Sequence, residues 1–111
     1  MSVNMLKVTH VTSAHPRFDT RIFWKQCCSL SASNYNVSLI VADGKGNELK
    51  NGVSIYDVGA PQSRVARILK FSKIIYKKAL SLNSDVYHLH DPELLPIGLK
   101  LKAKGKIVIF D

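Results

Sequence analysis

The stretch DVYHLHDPELLPIGL, residues 85–99, decides the fold. Residues 85–90 (DVYHLH) read as a strand, with His88 and His90 on one face and Leu89 on the other, because strand side chains alternate. Residues 92–104 follow as a helix with a proline in its first turn, where the missing amide costs nothing. Gly105 stops that helix, and residues 106–110 (KIVIF) start a new strand. Strand, helix and strand at this spacing form a βαβ unit, whose crossover is right-handed and whose strands run parallel.

The same alternation runs upstream. Residues 6–12 (LKVTHVT) read as a first strand, and residues 20–33 carry Ile22, Phe23, Cys27 and Leu30 at helical spacing. Asp19 is placed to cap that helix, and Asn34 to Asn36 to end it. Residues 37–42 (VSLIVA) and 53–58 (VSIYDV) are two further strands, separated by a loop over 43–52 rich in Gly and Asn. Residues 64–82 form one long helix. The expectation is an α/β fold: a Rossmann-like three-layer α/β/α domain over residues 1–111, with five parallel strands in the order 3-2-1-4-5. Ligands of such sheets bind beyond the carboxyl ends of the strands, so residues 13–20 and 90–93 should face one another there.

Composition bounds the alternatives. The chain has 111 residues, enough for one domain, and 46% of them are apolar, which argues against disorder. No apolar run is long enough to span a bilayer, and Met1 to Leu6 show no signal-peptide pattern. Cys27 and Cys28 are adjacent, which disfavours a disulfide between them, and a reducing cytoplasm is the simplest compartment. The net charge is +8. The chain stops at Asp111 just after an apolar strand, so it is expected to be a fragment or one half of a larger assembly.

The first loop, TSAHPRFDTR, has neither a G-x-G-x-x-G nor a G-K-[ST] pattern, so dinucleotide and P-loop binding are unsupported. It carries His15, Arg17, Asp19 and Arg21 within seven residues, and two guanidiniums beside a helix start suit an anion such as phosphate. In the second loop His90 is followed by Asp91 and Glu93. A histidine at a strand's carboxyl end can donate a hydrogen bond or exchange a proton. H-x-H-D supplies too few ligands for a metal, and none is expected. On the long helix Arg64, Arg67, Lys70, Lys73, Lys77 and Lys78 share one half, with Ile74 inside it. Apolar residues within a basic face fit an anionic membrane surface better than nucleic acid, and no nucleic-acid module is present.

HVTSAHPRFDTRIF (residues 10–23) and DVYHLHDPELLPIGL (residues 85–99), in this order of elements, resemble the N-terminal domain of a GT-B glycosyltransferase of the family 4 type, which builds surface polysaccharides and glycolipids. The resemblance implies two Rossmann-like domains facing across a cleft: an acceptor-binding N-terminal one and a donor-binding C-terminal one. It implies retaining sugar transfer from a sugar nucleotide as co-substrate, no tightly bound cofactor and no required metal. It makes His90 the catalytic candidate. His15, Arg17, Asp19, Arg21, Asp91 and Glu93 become substrate-binding candidates. The family's Gly-Gly pair is missing from the first loop. The implied partners are the missing donor-binding domain or a second chain supplying it, a glycan or lipid-linked acceptor, and an anionic membrane surface met by Arg67, Lys70, Lys73, Ile74 and Lys77. The implied place is the cytoplasm, at the inner face of the membrane. One wall of a cleft cannot hold the leaving phosphate, so the chain alone is expected to be inactive. The alternatives are a non-enzymatic flavodoxin-like module for an acidic partner, or half of a nucleotide-sugar epimerase; fold alone does not separate them.

Overall fold

The computed structural model describes residues 6–111; the residues carrying most of the signal-peptide reading, 1–5, lie outside them. The element order is β1 (Lys7–Val11), helix α1, β2 (Asn36–Val41), β3 (Glu48–Lys50), β4 (Val53–Asp57), α2 (Arg64–Leu69), α3 (Phe71–Leu82), β5 (Val86–Leu89), a 3₁₀ turn (Pro92–Leu94), α4 (Leu95–Ala103) and β6 (Ile107–Phe110). Helix α1 is π-helical over Thr20–Cys27 and regular over Cys28–Ala32. The fold is mixed α/β around one six-stranded, mostly parallel sheet, compatible with a Rossmann-like arrangement.

The sheet order is β3-β4-β2-β1-β5-β6. It departs from the expected five strands by β3, which pairs antiparallel to β4 at one edge. Residues 43–52 were expected to be a loop, but three of them extend alongside β4. Asn51 and Gly52, both with positive φ, make the tight turn between the two strands. The second departure is in the long helix, which breaks between Leu69 and Phe71 into α2 and α3.

Local chemistry accounts for the element ends. The Asp19 carboxylate accepts the amides of Arg21 and Ile22, capping α1, and these bonds hold its pKa below the ordinary carboxylate value. Ser63 caps α2 through the Ala66 amide. Asn34, Asn83 and Gly105 take the left-handed conformation just past α1, α3 and α4.

Each face of the sheet has its own core. Ile22, Phe23 and Cys27 of α1 pack on Val37, Leu39, Val41, Val53 and Ile55 of β2 and β4. On the other face Ile75 and Ala79 of α3 and Ile97 and Leu101 of α4 pack on Val11, Ile40, Tyr87 and Leu89. Tyr87 ties α3 to β5: its hydroxyl donates to the Ala79 carbonyl and accepts from the Ser84 amide. Gly98 lets α4 lie close on the sheet, since a Cβ there would meet the Phe110 ring at 2.3 Å and Leu89 at 2.8 Å. The α1 face is covered over β2 and β4 but open over β6, where Ile107 and Ile109 are exposed.

Candidate functional site

β1 and β5 are parallel neighbours, with Val11 opposite Leu89, so their carboxyl ends emerge together. The ladder continues one step beyond, where the His90 amide donates to the Val11 carbonyl at 3.0 Å. The two loops therefore meet, as the parallel reading requires.

Asp91 joins them. Its buried carboxylate accepts the Thr12 hydroxyl at 2.7 Å and the Ser13 amide at 2.9 Å, and His15 Nδ1 lies 3.0 Å from its other oxygen. Glu93 accepts the Ser13 hydroxyl and Arg67 Nε, both at 2.7 Å. These two acids hold the rim together, so they position it in addition to lining it. His15 is the accessible imidazole there, with 36% of its side chain exposed. The adjoining Thr12 and Ser13 were not singled out from the sequence, because isolated hydroxyls in a strand end carry no pattern.

Arg17 was expected to offer its guanidinium to an anion; the structure turns it inward. It is buried and donates to Asp43 at 2.7 and 2.6 Å, to Glu48 at 2.8 Å and to the Gly46 carbonyl at 2.7 Å. The hydrogen bonds to Asp43 raise its pKa further above the ordinary range, and the same contact lowers that of Asp43. Arg17 therefore pins the loop before β3. Asp19 is committed to capping α1, and Arg21 is paired with Asp111. The anion-binding cluster expected in this loop is thus spent on internal contacts.

His90 also sits differently from expectation. Alternation does place it with His88, their rings stacked at 4.4 Å, but His10 of β1 joins them. His10 stands opposite His88 in the register and stacks on it at 4.7 Å and on His90 at 5.0 Å. His10 Nδ1 and His90 Nε2 share a hydrogen bond of 2.8 Å. The trio lies on the α1 face, beside a shallow pocket lined by His10, Lys25, Gln26, Ser29, Leu30 and His88. The His90 side chain is enclosed there, with Asp111 beside it, so it does not open onto the rim in this conformation. Burial pushes the pKa of His10 down to about 3 and of His90 down to about 4, and lowers that of His88. Burial therefore favours the neutral form of each imidazole. Three of their ring nitrogens, His10 Nε2, His88 Nε2 and His90 Nδ1, are buried without a hydrogen-bond partner.

On the basic face Lys70, Lys73, Ile74 and Lys77 are exposed as expected. Arg67 is not part of that surface, because its guanidinium turns to Glu93. Val65, Ile68 and Leu69 of α2 add exposed apolar surface beside the lysines. Among the described residues no helix is long and apolar enough to cross a membrane. Cys27 and Cys28 are both free thiols, and burial raises the Cys27 pKa to about 12, so it is inert packing.

No protein-family model, no curated protein and no solved structure matches this chain.

Proposed function

We propose that this chain is the acceptor-binding half of a retaining glycosyltransferase of the GT-B type, transferring a sugar from a sugar nucleotide to a glycan or lipid-linked acceptor. The observation that carries the reading is the Asp91 junction, which locks two polar loops side by side at the carboxyl ends of neighbouring parallel strands. Ser13, His15 and Glu93 present donors and acceptors at that rim, the chemistry needed to hold sugar hydroxyls. His90 is the catalytic candidate, reached once Asp111 and Arg21 move off its ring. The donor half comes from a further domain or a second chain. With Arg17 and Arg21 both paired, the rim offers no free guanidinium to a leaving diphosphate, so the chain alone binds acceptor without turning over donor. Its place in this reading is the cytoplasmic membrane surface.

Calorimetry tests this with oligosaccharides and short-chain glycolipids titrated into the chain in the presence of chelator. An acceptor binds the wild type and binds Asp91→Asn more weakly, while sugar nucleotide alone gives no heat. No binding by any acceptor, or equal binding by Asp91→Asn, contradicts the proposal. Capture of an acidic protein instead favours the non-enzymatic binding module, for which the +8 charge speaks.

A further inference from the structure

We propose that His88 Nε2, His90 Nδ1 and a carboxylate oxygen of Asp111 form a binding site for a divalent transition metal, zinc by preference, with His10 orienting His90 from behind. The site shares His90 and Asp111 with the sugar-transfer reading but does not depend on it, because metal binding is read with neither acceptor nor donor present.

Two of the ligand–ligand distances approach those of a tetrahedral ion, and the nearly parallel His88 and His90 rings turn toward each other to close the third. Ligand atoms bonded at about 2.0–2.1 Å in a tetrahedron lie about 3.3–3.4 Å from one another. One Asp111 oxygen lies 3.3 Å from His90 Nδ1 and 3.6 Å from His88 Nε2, yet neither nitrogen makes a hydrogen bond. The three histidines each place a ligand nitrogen within 4.8 Å of the others.

Tautomer chemistry decides which nitrogens can ligate. A neutral imidazole has one N–H and one lone pair. In the His10–His90 hydrogen bond one ring donates and the other accepts, so only one of the two keeps a lone pair on its far nitrogen. If His90 Nε2 donates, the His90 Nδ1 lone pair faces Asp111 and His10 is the acceptor behind it. That is how protein partners orient a metal-bound histidine. If His10 donates, His90 Nδ1 carries a proton toward Asp111 and the site holds no ion. Metal binding therefore selects the first tautomer.

Two further features fit. The shallow pocket beside α1 gives an entry path to His88. Gln26 lines that pocket with its Oε1 buried and unpartnered, an acceptor suited to a water in the fourth metal position. Arg21 opposes the site, because it pairs with the same Asp111 oxygen. It is exposed, and such pairs are weak.

The test is titration of the metal-free chain with cobalt(II), followed by zinc(II) competition. One equivalent of cobalt gives the strong visible absorption of a tetrahedral site, and zinc displaces it. Asp111→Asn weakens binding at least about tenfold, and His88→Asn does the same. Arg21→Gln tightens it, an outcome that no loss of folding can produce. In nitrogen-15 spectra of the zinc-loaded chain the His90 proton sits on Nε2. Absence of tetrahedral absorption, or binding that survives in the Asp111→Asn/His88→Asn double variant, overturns the proposal. An unchanged cobalt affinity in Asp111→Asn overturns the assignment of Asp111 as a ligand.

Discussion

Asp91, two residues past the end of β5, accepts the hydroxyl of Thr12 at the end of β1 at 2.7 Å, in a buried position. This bond, with the Ser13 amide on the same oxygen, converts two neighbouring strand ends into one rim. Removing the carboxylate leaves the buried Ser13 amide unpaired and takes away the acceptor of the Thr12 hydroxyl, which keeps only its contacts with His15. Asp91→Ala is therefore expected to cost about 2–4 kcal/mol in urea unfolding, and Asp91→Asn less, because it keeps an acceptor. Equal stability of Asp91→Ala and wild type would show that the junction does not hold the loops.

Gly98 is the contact point of α4 with the sheet. Alanine there gains up to about 1 kcal/mol of helix propensity. It also drives a Cβ into Phe110 and Leu89, and overpacking of this kind costs about 1–3 kcal/mol. Phe110 is partly exposed and Leu89 buried, so the core side of the clash has little room to relax. Gly98→Ala is expected to be net destabilising by denaturant melt; a stabilised variant would mean that α4 sits further from the sheet.

Acid resistance should depend on Arg17. Its hydrogen bonds hold the Asp43 pKa below the ordinary value of 3.8. A carboxyl group lowered on folding adds stability above its unfolded pKa, and loses that contribution as pH falls through the folded value. Arg17→Met returns Asp43 toward 3.8 and leaves it without its main partner. The acid-unfolding midpoint followed by circular dichroism then moves to higher pH, while a superimposable acid profile would show that Arg17 contributes nothing to this window.

The exposed lysines at the α2–α3 break and on α3, with the apolar residues of α2, predict attraction to anionic vesicles. Each lysine near such a surface contributes about 1 kcal/mol, strongest at low salt. Flotation with phosphatidylserine-containing liposomes should carry the chain upward, and the triple reversal Lys70→Glu, Lys73→Glu, Lys77→Glu should leave it at the bottom. A wild-type chain that stays at the bottom at low ionic strength removes the membrane from the account.

Some of this was legible in the residues and some was not. The cap at Asp19, the stops at Asn34 and Gly105, and the shared face of His88 and His90 follow from local chemistry and strand alternation. His10 was hidden because its place beside His88 depends on the register between β1 and β5, which no pattern within LKVTHVT encodes. Arg17 misled for a related reason: its partners Asp43 and Glu48 lie 26 and 31 residues away, so it read as a free cation. Strand β3 was masked by the glycines and asparagines around it, which mark turns regardless of what lies between them. The break at Lys70 has no glycine or proline to announce it.

The central claim is that the rim joined by Asp91 receives a sugar acceptor. Amide shift mapping of the nitrogen-15-labelled chain during titration with the acceptor that binds most tightly tests it directly. The account predicts that the largest changes fall on Thr12, Ser13, His15, Asp91 and Glu93. Changes confined to the α2–α3 surface or to the open β6 edge, with these five amides still, would contradict it.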